Sequence, residues 1–288
     1  MRSKLSRRDF LNFIKAIGGG VLATYAGHYY VSNFEPSWVD VTQVTLPLAN
    51  LPQAFIGFRI AQVSDVHIGG WMNKDRLAHI VEKVIEQKPN LVVITGDFMI
   101  GHFWDFVLDQ AAEDFFNVVT PLTQKFPVLA VLGNHDHWTD SERTRSMLER
   151  TGVIELKNDI RRLDHNGESL YIAGVDDVFV GMDRLEEVEA KLPEGAPTIL
   201  LAHEPDYADI TSATGKFLLQ LSGHSHGGQV NLPFYGPLVL PNFARRYPIG
   251  LYQIAQMYLY TNRGVGMTEP FVRFNCRPEI TVFTLNQG

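Results

Sequence analysis

Five times along this chain a short apolar run stops at once on aspartate, asparagine or histidine, with glycine close by. Residues 58–63 stop at Ser64-Asp65-Val66-His67, and residues 91–95 at Gly96-Asp97. Residues 127–132 stop at Gly133-Asn134-His135-Asp136, residues 199–202 at His203, and residues 219–221 lead into Gly223-His224-Ser225-His226-Gly227-Gly228. Runs this short, rich in Val, Ile and Leu and closed by turn residues, read as buried strands. Helical spacing lies between them. Leu77, Ile80, Val81, Val84 and Ile85 mark one helix over 74–87, and further helices are expected over 109–124 and 141–150. Strands separated by helices fold as an α/β layer structure, whose ligand sites sit at the carboxyl ends of the strands.

The second half is richer in strands, expected at 170–174, 198–202, 217–221, 257–261 and 280–285. Residues 231–250 hold Pro233, Pro237, Pro241 and Pro248 among aromatics and read as a loop or lid. The organisation expected is an N-terminal address over 1–31, a connecting segment over 32–54, and one catalytic domain over 55–288.

The strand-end clusters share a chemistry. Five of the ten histidines fall in them. Imidazole, carboxylate and amide donors suit divalent Mn, Zn or Fe. The single cysteine, Cys276, excludes an intrachain disulfide and a thiolate metal site. Asp65-x-His67 and His224-x-His226 each place two donors on one face of extended chain. Taken singly, each cluster also reads as turn chemistry or as a satisfied core histidine. Their joint placement at five strand ends is what points to one metal site.

This order of motifs resembles the calcineurin-like metallophosphoesterase superfamily over about residues 57–230. The start Ser6-Arg7-Arg8-Asp9-Phe10-Leu11 and the tail segments Thr261-Asn262-Arg263-Gly264 and Arg273–Glu279 are similar to its exported bacterial phosphodiesterase subgroup. The resemblance implies a four-layer α/β/β/α sandwich with a dinuclear metal site. It implies that Asp65, His67 and His226 hold one divalent ion and that Asn134, His203 and His224 hold the other, with Asp97 bridging. It also implies a hydroxide shared by the two ions that attacks a phosphodiester or pyrophosphate bond. His135, next to Asn134, is expected as general acid or oxyanion donor, with Asp136 orienting it. His137 is expected at the surface or in a lid, and residues 227–229 at the pocket floor.

Two other readings stay open. One is a pyrophosphatase of the UDP-2,3-diacylglucosamine type, acting on a nucleotide-lipid at the membrane. The other is an inactive metal-binding scaffold. Trp71, Phe103, Trp104, Trp138, Phe234, Tyr235 and Phe243 are candidates for an apolar substrate wall, and Arg245 and Arg246 for contact with a distal phosphate.

Charge narrows the partners. The chain has 25 basic and 32 acidic residues; residues 1–30 hold five of the basic ones and one acid, leaving 20 against 31. A body this acidic lacks the footprint of a nucleic-acid binder. The paired arginines and the weak apolar run over 10–31, which contains Lys15 and Gly18-Gly19-Gly20, resemble a twin-arginine export signal. The expected partner is the twin-arginine translocase, and the expected location is the periplasm or cell envelope. Retention of residues 10–31 as a membrane anchor is the alternative.

Overall fold

The computed structural model describes residues 7–101 and 104–288. Its strands are β1 Asp40–Leu48, β2 Arg59–Val63, β3 Leu91–Thr95, β4 Val128–Val131, β5 Ile154–Glu155, β6 Asp159–His165, β7 Glu168–Gly174, β8 Thr198–Leu201, β9 Leu219–Ser222, β10 Asn231–Leu232, β11 Gly236–Pro237, β12 Gly250–Ile254, β13 Met257–Thr261 and β14 Glu279–Gln287. The helices are α1 Arg7–Tyr29, α2 Glu35–Ser37, α3 Lys74–Glu86, α4 Asp105–Thr123, α5 Asn134–Thr139, α6 Ser141–Thr151, α7 Leu185–Lys191 and α8 Ala208–Thr211.

The strands form two six-stranded sheets, ordered β1-β14-β2-β3-β4-β5 and β12-β13-β9-β8-β7-β6. In the first sheet β2 to β5 run parallel; in the second, β7, β8, β9 and β13 do. Side-chain alternation shows why two sheets stack. Val92 and Ile94 of β3 pack with Leu77, Ile80 and Val84 of α3 and Phe115 of α4. Leu91 and Val93 point the other way, into a core shared with Ile199, Leu201, Leu219 and Leu221 of the second sheet. The outer face of that sheet, through Leu200 and Leu259, packs on Val188 of α7 and Ala208 of α8. Three apolar seams therefore separate four layers in the order α/β/β/α. Each such side chain contributes roughly 1.5–3 kcal/mol on burial, so these strands must be covered on both faces.

The expected elements appear within a few residues of their predicted ends, except that α4 begins at Asp105 rather than at 109. Within the expected connecting segment 32–54, residues 40–48 form β1, which pairs in parallel with β14 from Asp40↔Glu279 to Leu48↔Gln287. Its apolar alternation is confined to Val44, Leu46 and Leu48, and Pro47 interrupts it. That proline is tolerable because β1 is an edge strand. The stretch 231–250 is mostly irregular, as expected, apart from the two-residue ladder of β10 with β11.

This arrangement converges the site. The ends of β2, β3 and β4 lie in register through Val63↔Ile94 and Thr95↔Val131. The ends of β8, β9 and β13 do so through Leu201↔Leu221 and Thr261↔Ser222. Gln62 ties the two sets together. Its buried amide donates to Thr95 Oγ1 (3.0 Å) in its own sheet and to the Ser222 carbonyl (2.9 Å) in the other.

Candidate metal centre

All seven expected donors meet where the two sheets' strand ends face each other, and all are buried. One group comprises Asp65, His67, Asp97 and His226, and a second comprises Asp97, His203 and His224. Asp97 belongs to both. Its Oδ2 stands 3.5 Å from His67 Nε2 and 3.2 Å from His203 Nε2. Its Oδ1 accepts the backbone N–H of His135 (2.9 Å), which fixes the carboxylate plane.

The chain is bent hard to make this cluster. Asp65, His67, Asp97, His224 and His226 all take left-handed backbone, with φ of 52°, 50°, 57°, 65° and 49°. Such a conformation costs an L-residue roughly 1–2 kcal/mol, and it is the kind of strain that functional sites hold. Gly133 is required for another reason: a Cβ there would collide with Asp97 Oδ1 and come within 2.8 Å of His203 Cε1.

The imidazoles are oriented from behind. His203 Nδ1 donates to the Thr95 carbonyl (2.7 Å), His67 Nδ1 to that of Met99 (3.3 Å), and His224 Nε2 to that of Asn242 (2.9 Å). This is the usual way a ligating imidazole is fixed in one tautomer. The inward nitrogens then face one another, with His67 Nε2 3.0 Å from His226 Nε2 and His224 Nδ1 3.2 Å from His203 Nε2. Burial pushes His67 and His224 down to about 3 and His226 well below the ordinary imidazole value. A neutral imidazole has one N–H, and that of His67 is spent on Met99, so its inward nitrogen is a bare lone pair. Asn134 Oδ1 and His226 Nδ1 are buried with no hydrogen-bond partner. Facing imidazole nitrogens and a carboxylate shared between two groups, with the orphaned Asn134 on the same cavity lining, are the donor set a divalent cation needs. The residues present fit a metal.

Burial works against charge on Asp97, but His203 and His135 hold it well below the usual carboxylate range. Burial also works against charge on His203, and Asp97 overrides it, holding the imidazole well above its ordinary value. Without a cation the two form a buried ion pair.

Around the cluster opens a cavity of about 600 Å³, walled by Trp138, Phe179, Leu238, Val239, Leu240 and Pro241 with Asp97, Asn134, His135, His224 and His226 at its base. Gly228 and Gln229 line it, as expected of the pocket floor, and Gln229 is stitched to the tail through Thr268 N (2.8 Å). Of the expected aromatic wall, Trp138 lines the cavity. Trp71 instead donates to the Ser32 carbonyl (3.2 Å), Trp104 is exposed away from the lining, and Phe103 lies outside the described residues. Arg245 lines the cavity, whereas the Arg246 guanidinium is paired with Asp209.

Asp136 does not orient His135. Its Oδ1 accepts the backbone N–H groups of Phe98 (2.9 Å) and Met99 (3.0 Å), and its Oδ2 that of Gly133 (3.0 Å). It clamps the Asp97 loop to the start of α5. His135 Nδ1 instead donates to the Ile100 carbonyl (3.1 Å). His137 is no lid residue: its Nε2 is 2.8 Å from Asp176 Oδ1 and is half-buried. The sequence reading missed Phe179, Thr268, Glu269, Pro270 and Val272, and within the expected lid it did not single out Leu238 to Pro241; these reach the cavity only through long-range packing. It also missed the role of Arg273. That fully buried guanidinium donates to the carbonyls of Arg263 (2.9 Å), Gly264 (3.1 Å) and Gly266 (2.7 Å), and the Gly266 N–H in turn donates to the Asp65 carbonyl (2.8 Å), bracing the tail against the Asp65 loop.

The family model for calcineurin-like phosphoesterase matches residues 58–228. An uncharacterized metallophosphoesterase, YkuE of Bacillus subtilis, is 36% identical over 290 residues, covering 98% of each chain. Phosphodiesterase YaeI of Escherichia coli is 30% identical over 285 residues, covering 98% of this chain and 99% of that one. The chain belongs to the calcineurin-like metallophosphoesterase family.

Two outcomes follow from this geometry. Asp136→Ala strands three buried N–H donors and should cost at least about 2 kcal/mol in denaturant unfolding. A loss under about 0.5 kcal/mol, with activity abolished, would return Asp136 to catalysis. Asp97 holds the His203 imidazole well above its ordinary value and burial raises Asp65 to about 7, so cation uptake displaces protons. Affinity for Zn²⁺ should therefore rise with pH, most steeply below about pH 7. Titration calorimetry showing a pH-independent affinity would contradict the His203–Asp97 pair.

Proposed function

We propose that this protein is a metal-dependent phosphodiesterase that attacks the phosphorus with an activated water. The observation that carries the reading is Asp97 Oδ2, one carboxylate oxygen placed between His67 and His203 so that both donor groups share it. In this reading Asp65, His67, His226 and Asp97 hold one divalent cation, and Asp97, Asn134, His203 and His224 hold the second. When bound, such a pair supplies Lewis acidity and water acidic enough to attack at neutral pH.

The chain's own groups do the rest. His135 is anchored twice, by its backbone N–H on Asp97 and by Nδ1 on Ile100. Its ring stands edge-on to His67 at 4.7 Å, and it forms part of the cavity lining. With Nδ1–H committed to a carbonyl, Nε2 is the nitrogen free to face the departing oxygen, and in the imidazolium form its N–H is the proton that oxygen takes. Trp138, 5.1 Å away centroid to centroid, shields that ring from bulk water. Beyond the metal cluster, Arg245 is the guanidinium on the cavity wall, and Glu269 sits opposite it in charge. That balance suits a singly charged diester better than a dianionic monoester. The name of the Escherichia coli relative supports the same choice. A nucleotide-lipid pyrophosphate would need a second anion contact, which Arg245 is placed to make.

The reading also places the enzyme outside the cytoplasm, delivered by the twin-arginine translocase. The motif from Ser6 to Leu11 supports this. No helix among the described residues is long and apolar enough to cross a membrane.

Turnover of bis(p-nitrophenyl) phosphate with Mn²⁺, read beside metal content, tests the assignment. His135→Ala should keep its metal and lose about 10²–10⁴-fold in kcat on a diester with an alkoxide leaving group, and much less on bis(p-nitrophenyl) phosphate, whose leaving group needs no proton. Asp97→Ala should lose both cations together. Metal lost in step with activity in His135→Ala, or full occupancy in Asp97→Ala, would refute the assigned roles.

A further inference from the structure

The rim of the cavity carries apolar surface that the chemistry does not use. β10 and β11 close on a tip of Pro233, Phe234 and Tyr235. Phe234 is fully exposed, and Tyr235 and Val239 are 76% and 75% exposed. The Phe234 backbone is left-handed, with φ of 68°, a conformation costly for an aromatic residue. Folding gains nothing from holding a bare phenyl ring in water at that cost. Leu238 and Val239 are exposed and also line the cavity, so the outer apolar surface runs without a break into the substrate wall.

A second apolar element ends at the same rim. α1 exposes Leu11, Phe13, Ile17, Val21, Leu22 and Tyr25. It continues through residues 30–34 to Val31, whose carbonyl accepts the N–H of Arg273 (2.8 Å). On the other side of that tail segment, Phe274 accepts the N–H of Asn231 (2.8 Å), at the root of the β10–β11 hairpin. Val272, the residue before Arg273, lines the cavity. The end of α1 and the hairpin thus flank one short piece of rim.

Charge selects the occupant. The chain is acidic, at −7, yet α1 carries Arg7, Arg8 and Lys15 against the single acid Asp9. Among the described helices α1 has the largest excess of basic over acidic residues, and it is also the exposed apolar one. Cations among exposed apolar residues, on a helix too weakly apolar to span, suit contact with an anionic lipid surface.

We infer that the β10–β11 hairpin and the end of α1 seat the cavity mouth on an anionic lipid surface. This deepens the proposed hydrolysis, on which it rests, by naming the substrate class: a phosphodiester carried in or on the bilayer, whose apolar portion leaves the lipid along Leu238 and Val239.

The chain is suited to a direct test because its cysteine, Cys276, is buried. The full-length Phe234→Cys variant takes an environment-sensitive fluorophore at the tip. A Lys125→Cys variant, labelled at the opposite, amino end of β4, is the control. With vesicles of equal parts phosphatidylcholine and phosphatidylglycerol, the label at 234 should shift to the blue and brighten. Vesicles carrying a quencher near the headgroup should dim it, and the label at 125 should not respond. An unchanged label at 234 on protein that co-sediments with the vesicles would show that α1 binds alone, and would overturn the docking. So would the absence of binding, or equal responses at both positions. Turnover of soluble bis(p-nitrophenyl) phosphate by the labelled protein reads the chemistry separately, so failure of docking and failure of catalysis are distinguishable.

Discussion

One carboxylate holds the site together. Asp97 offers Oδ1 to the His135 backbone and Oδ2 to the space between His67 and His203. Placing it there takes a left-handed backbone at Asp97, a glycine at 133, and the Asp136 clamp on the two residues that follow. Each of these costs free energy alone. The four-layer packing behind them, with strands buried on both faces, supplies the rigidity that makes the strain tolerable. Strain at the strand ends and close packing behind them are two sides of one arrangement.

Legibility in the sequence followed the range of the interactions. β3 was readable because Leu91 to Thr95 is apolar on both faces, and burial on both sides leaves that mark in the residues themselves. β1 was not, because only Val44, Leu46 and Leu48 alternate and its partner β14 lies more than two hundred residues away. The donor set was readable because every member directly follows a strand, so secondary structure alone brings the members to one edge. The role of Asp136 was misread for the opposite reason. A carboxylate beside His135 in sequence points away from it in space, toward the backbone of residues 98, 99 and 133. Nothing local distinguishes an orienting aspartate from a capping one. The cavity wall at residues 238–241 and 268–272 depends on how two loops meet, and sequence carries little record of that.

Electrostatics divides the molecule. The body is acidic, and its centre gathers two buried aspartates and four buried histidines. Burial keeps three of those histidines neutral, and Asp97 keeps the fourth charged. The centre is thus prepared for cations rather than for anions, and an anionic phosphate becomes welcome only after cations arrive. The apolar rim and the basic α1 lie outside this arrangement.

The shared carboxylate is open to direct observation. Crystals soaked in Mn²⁺ and measured at the manganese edge should show two anomalous peaks about 3.5–4 Å apart. Both should lie within coordination distance of Asp97 Oδ2, with Asn134 Oδ1 turned toward one of them. A single peak, or a pair of which Asp97 touches only one, would contradict the account at its centre.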